Sequence, residues 1–91
     1  MPEQRPTRFA VEFNRVYRAD GPGHLLVWFA GGRTGRVTIL AGPADPPEEF
    51  AGEVTAEAPS SCSAAIRAGE FWTLQCNRQD GGGFKALYTP L

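Results

Sequence analysis

Apolar and polar residues alternate along this chain in short runs, and glycine or proline ends nearly every run. Phe9, Val11 and Phe13 alternate with Ala10, Glu12 and Asn14. That period of two turns one side of a strand to a core and the other to water. Past Asn14 the apolar parity moves to Val16, so a bulge or bend is expected at Asn14–Arg15. Asp20-Gly21-Pro22-Gly23 has the composition of a turn. His24 to Ala30 is apolar on both faces, the pattern of a central strand covered on both sides. After Gly31-Gly32-Arg33-Thr34-Gly35 reverses the chain, Arg36 to Ala41 reads as the return strand, with Val37 and Ile39 on one face and Thr38 and Leu40 on the other.

One short helical turn is predicted next. Asp45 is placed to cap it, Pro46 suits its first position, Glu48 completes a capping box and Gly52 stops it. Strands follow at Glu53 to Ala58, Cys62 to Arg67, Phe71 to Asn77 and Phe84 to Thr89, separated by Pro59-Ser60-Ser61, Ala68-Gly69-Glu70 and Asp80-Gly81-Gly82-Gly83. The expected fold is mainly β: a small antiparallel β-barrel or two-layer β-sandwich of about seven short strands with one short helical turn. Neighbouring strands are expected to pair as hairpins. Residues 1–7 read as a flexible tail and residues 8–91 as a single small β domain.

The chain has 91 residues, which supports one core and no more. Its longest apolar run, Leu25 to Ala30, is far below the roughly 20 residues that span a bilayer, so no membrane partner is expected. No apolar stretch follows the charges at the N-terminus, so a cytoplasmic or virion-associated location is expected rather than secretion. Charge is unevenly spread. Residues 1–40 hold six arginines against Glu3, Glu12 and Asp20, whereas residues 41–91 hold three bases against seven acids. This is a dipole if the halves stay apart, and no more than a mixed surface if folding interleaves them.

Cys62 and Cys76 form the most structured signal. A hairpin folded about Gly69 sets Ile66 opposite Trp72, Ala64 opposite Leu74 and Cys62 opposite Cys76, all on one face. At such a non-hydrogen-bonded pair the α-carbons approach to about 4.5–5.5 Å, within reach of a disulfide. Closing that loop stabilises a fold by roughly 3 kcal/mol on the chain-entropy argument. A reducing compartment instead leaves two free thiols that continue an apolar face. Two cysteines without a Cys-x-x-Cys and one distant histidine do not make a metal site, and no cofactor is expected.

Catalytic constellations are missing from the pattern. His24 is the sole histidine, with no orienting carboxylate or nucleophile marked for it, and an enzyme would need it to converge with acids such as Glu48 or Glu53. Gly31-Gly32-Arg33-Thr34-Gly35-Arg36 could cradle an anion, yet matches neither the Walker nor the dinucleotide pattern and joins strand to strand. Arginines interleave with aromatics in the first forty residues, and Trp28 and Phe29 point to opposite faces of one strand. The expected function is a non-enzymatic module that binds another protein, using a surface drawn from Arg15, Arg18, Trp28, Phe29, Arg33 and Arg36. Phage and mobile-element accessory proteins, as particle components or inhibitors of host machinery, are the expected setting for so small and plain a chain. The alternative is a nucleic-acid-binding barrel with an arginine and aromatic surface.

Overall fold

A computed structural model describes residues 8–57, 60–79 and 81–91. The 1–7 segment read as a tail lies outside the described residues. Eight strands run in order: β1 (Phe9–Ala10), β2 (Val16–Arg18), β3 (Gly23–Phe29), β4 (Arg36–Gly42), β5 (Glu49–Thr55), β6 (Ser61–Ile66), β7 (Phe71–Cys76) and β8 (Phe84–Pro90). They form two antiparallel four-stranded sheets, a front sheet ordered β1-β8-β3-β6 and a back sheet ordered β2-β7-β4-β5. The mainly β antiparallel fold expected from the sequence is therefore present, and of the two alternatives, barrel and two-layer sandwich, it takes the form of two sheets, with eight strands rather than about seven.

The pairing is not that of successive hairpins. Phe9 lies opposite Tyr88, Val16 opposite Thr73, Gly23 opposite Ile66 and Arg36 opposite Thr55. The chain thus doubles back once, at residues 43–48, into a ribbon that matches its first half against its second. The ribbon is then wound so that β3 also pairs with β8, and β4 with β7. This is the jelly-roll order of strands. Among the described residues, only β4 and β5 pair as a hairpin of sequence neighbours. The hairpins expected between residues 24–30 and 36–41, and around Gly69, instead cross from one sheet to the other.

Three further expectations change with it. Cys62 sits on β6 of the front sheet opposite Val27, and Cys76 on β7 of the back sheet opposite Val37. They are free thiols, not a cross-strand disulfide. The charge halves interleave, because every first-half strand pairs with a second-half one; Arg36 Nε meets Glu53 Oε2 at 3.0 Å across β4 and β5. The helical turn at residues 45–52 is absent: the segment bends and then enters β5. Its Pro46-Pro47 pair explains this, since a residue preceding proline is pushed out of the helical region.

The bend expected at Asn14–Arg15 is there, and it carries the chain from the front sheet to the back one. Asn14 has φ +62°, a conformation that asparagine tolerates better than most residues. Its N–H donates to Leu74 O at 2.7 Å, and its side-chain oxygen accepts from Cys76 N at 2.9 Å. One core lies between the sheets, with Leu25, Val27, Val37, Ile39, Val54, Ile66, Trp72 and Leu74 almost wholly removed from water. Each such side chain contributes on the order of 1.5–3 kcal/mol. β3 is central, but only one of its faces is covered: Leu25 and Val27 are buried while His24 and Leu26 face solvent. A two-layer sandwich has nothing to lay over the outer side.

Candidate functional site

The outer face of the front sheet follows directly from the register. Its middle row runs Ser63, Leu26, Leu87, Ala10 across β6, β3, β8 and β1. Ser61, Trp28 and Lys85 form the row on one side, and Ala65, His24 and Thr89 the row on the other. Leu26 is 41% exposed, and Trp28 and Leu87 are half-buried. Serine and alanine on β6 and β1 keep the margins low, so the face is flat with the indole standing on it. Arg8 joins the margin by donating from Nε to Thr89 Oγ1 at 2.9 Å. Neither Asp nor Glu occurs in these rows, and their ionisable groups are Lys85, His24 and Arg8.

The back sheet is dressed differently. One outer row sets Glu53, Thr38 and Gln75 side by side, and the Arg36–Glu53 pair ties its β4–β5 edge. The next row runs Phe50, Leu40, Thr73, Val16, with Phe50 68% exposed at the edge. Thr73, though outward, is buried and donates to Arg15 O at 2.8 Å, which fastens β2 to β7.

An open groove of about 850 Å³ lies where β4 begins and β7 ends. Arg36, Arg78, Thr38, Gln75 and Glu57 line it, and Arg33 adjoins Arg78 in a smaller hollow next to it. Arg78 is held in place by an Nε donation to Thr34 O at 2.9 Å, and Asn77 Oδ1 accepts from Arg36 N at 2.8 Å. Glu53 and Glu57 temper the positive charge there.

The six candidate residues therefore fall in four places. Trp28 stands on the front face. Phe29 turns towards the core and meets Phe84 edge to face at 5.1 Å. Arg33 and Arg36 come together with Arg78, which the sequence reading had counted in the acidic half. Arg15 precedes β2 and Arg18 ends it, Arg15 beside Glu12 at 3.4 Å and over the Tyr17 ring at 5.2 Å, Arg18 beside Asp20 at 3.5 Å. Leu26 and Leu87, central to the front face, went unnoticed because a half-exposed leucine looks like a core leucine in a run that is apolar throughout. The sequence sign of an outward Leu26 was parity alone: Leu25 and Val27 take the inner positions.

His24 and Glu53 lie on the outer faces of opposite sheets. Among the described residues no three His, Cys, Asp or Glu side chains gather at a metal-sized site. Compared with protein families, curated proteins and solved structures, the chain shows no significant match.

Proposed function

We propose that the chain is a protein-binding module whose docking surface is the outer face of the front sheet. The observation that carries this reading is the Leu26–Leu87–Trp28 patch, which is flat, partly exposed and free of carboxylates, with Lys85 and Arg8 at its margin. Apolar centres ringed by charge are the usual anatomy of a docking surface, and aromatic anchors within them carry much of the affinity. The basic margin selects a partner segment whose apolar side chains are flanked by acids. Particle component and inhibitor are both roles that such docking would serve.

A nucleic-acid reading has one observation in its favour, the convergence of Arg33, Arg36 and Arg78, and two against it, the nearby Glu53 and Glu57. Affinity capture from native-host lysate after nuclease treatment separates the two. On the protein-binding reading, a captured protein survives nuclease, is lost with Leu26→Glu and is retained with Arg33→Ala and Arg78→Ala. Capture that vanishes with nuclease, and falls steeply with salt, replaces this reading by the nucleic-acid one.

A further inference from the structure

A sheet ends in strands whose outer N–H and C=O groups have no neighbour, and proteins blunt such edges with shortness, charge or a bulge. The described sheets have four edges, β1 and β6 in front and β2 and β5 behind. β1 is two residues long, and β2 is three with Arg18 among them. β5 is longer, but its register shifts opposite Ile39 and Leu40, and it carries Glu49 and Glu53. β6 has none of these devices. Ser61-Cys62-Ser63-Ala64-Ala65-Ile66 holds one unbroken register against β3 and contains no charge, proline or glycine.

The hydrogen-bond phase fixes which groups of β6 point outward. Phe29 N donates to Ser60 O at 2.9 Å, so Val27–Cys62, Leu25–Ala64 and Gly23–Ile66 are the hydrogen-bonded pairs with β3. Ser61, Ser63 and Ala65 therefore turn their N–H and C=O away from β3, where no described backbone group pairs with them. The Cys62 thiol alone reaches one of these atoms, Ser63 O at 3.7 Å, and a carbonyl has a second lone pair. β5 does not cover the row. It touches β3 as well as β6, so it lies beneath the front sheet rather than beside it. Gly52 packs under Cys62, where a β-carbon would meet the sulfur.

The geometry points to a second copy of this chain as the occupant of that edge: two β6 strands pair antiparallel across a two-fold axis at Ser63, and the two front sheets become one. Ser63 then faces its own counterpart and Ser61 faces the counterpart of Ala65, each donating and accepting across the axis. A two-fold contact needs a patch complementary to itself. The outward side chains here are Ser61, Ser63 and Ala65, which bring no like charges together and are too small to clash. Nothing in that row selects a foreign sequence, whereas the row satisfies itself. Antiparallel order also sends the two Arg67 side chains to opposite ends. The Leu26 side chains of the two copies stand three strand spacings apart, about 14 Å, so the front face continues across the axis. The pairing does not depend on the docking reading; it doubles the face on which that reading rests.

Sedimentation velocity of the full chain from about 1 µM to 1 mM tests this. Edge pairing buries less than an ordinary interface, so the expected Kd is about 100 µM, and the mass rises from one chain towards two across the series. The amides of Ser61, Ser63 and Ala65 are expected to gain hydrogen-exchange protection with concentration, while those of Cys62 and Ala64, already bonded to β3, stay as they are. Ser63→Pro removes an N–H that β3 does not use and is expected to weaken association at least about tenfold. Ser63→Lys keeps every N–H, sets like charges across the axis and serves if the proline variant fails to fold; a loss of about fivefold, relieved by about 1 M salt, is expected. Leu26→Glu lies away from the axis and is expected to leave association unchanged. A chain monomeric at 1 mM overturns the proposal, and includes the case of an edge taken by a foreign strand. Association that survives both Ser63 variants and is lost with Leu26→Glu overturns it too, since the copies then meet face to face. No arm reads partner capture, so either result leaves the docking reading to its own test.

Discussion

The two sheets share one interior and differ in what they show to water. Inside, both alternate in the same way: Leu25 and Val27 from the front sheet meet Val37, Ile39 and Leu74 from the back, all fully buried. Outside, the back sheet carries the Arg36–Glu53 ion pair beside Thr38 and Gln75, with Phe50 68% and Val16 37% exposed at its two edges. The front sheet carries a leucine pair, an indole and small neutral residues, with positive charge only at the side. Equal interiors with unequal exteriors place the functional asymmetry on the surface, since the fold asks the same of both sheets. A jelly roll by itself implies no activity, so the argument for docking rests on that face alone.

The contrast is tested most severely by adjacent residues of β3. Leu25→Ala is expected to destabilise the chain by about 2–5 kcal/mol, as for other fully buried leucines. Leu26→Ala, one position along, is expected to cost no more than about 0.5 kcal/mol, as elsewhere on a surface. Urea unfolding of both variants measures the difference, and comparable losses would mean that the front face is covered after all. Next comes a comparison between the sheets. Leu26→Glu places a carboxylate on a face that has none and is expected to weaken partner capture by about 2 kcal/mol or more, roughly 30-fold. Phe50→Glu, on the back sheet, is expected to leave capture unchanged.

Smaller effects probe the interior that the sheets share. Tyr88→Phe is expected to raise stability by about 1 kcal/mol, because it removes a buried hydroxyl that has no partner among the described residues. The same phenol gives a pH signature. Its folded pKa lies above the ordinary 10.0, so above pH 10 the unfolded chain loses this proton before the folded one does. Stability should therefore fall as pH rises past 10 towards the folded pKa, and the fall should be shallower in Tyr88→Phe. The last expectation is no change at all. Reductant should leave the unfolding midpoint where it was, because Cys62 and Cys76 lie in different sheets and there is no loop-closing bond worth roughly 3 kcal/mol to lose.

Most strand positions were legible in the sequence, but β5 begins at Glu49 rather than Glu53, Val16–Arg18 forms a strand of its own, and β3 is covered on one face rather than two. Val37 and Ile39 face inward, the chain bends at Asn14, and Gly69 turns it with φ +85°. Which strand pairs with which was not legible. A glycine turn that closes a hairpin has the same composition as one that crosses between sheets, and only the long-range register separates the two. That ambiguity is why Cys62 and Cys76 looked adjacent. At residues 45–52 the capping pattern was read over the prolines, although Pro46-Pro47 opposes a helix more strongly than Asp45 and Glu48 favour one. For the candidate surface, Trp28 was visible as an aromatic that its neighbour Phe29 had to oppose. Leu26 and Leu87 become a patch only once β3 and β8 are known to pair, and Arg78 joins Arg33 and Arg36 only once β7 is known to end beside the start of β4.

The most direct measurement is hydroxyl-radical footprinting of the chain alone and with its captured partner, quantified at Leu26, Trp28, Leu87 and Phe50. Docking on the front sheet requires strong protection of Leu26, Trp28 and Leu87 with Phe50 unchanged. Protection of Phe50 while the front-sheet residues keep their full reactivity would contradict the assignment of the docking face.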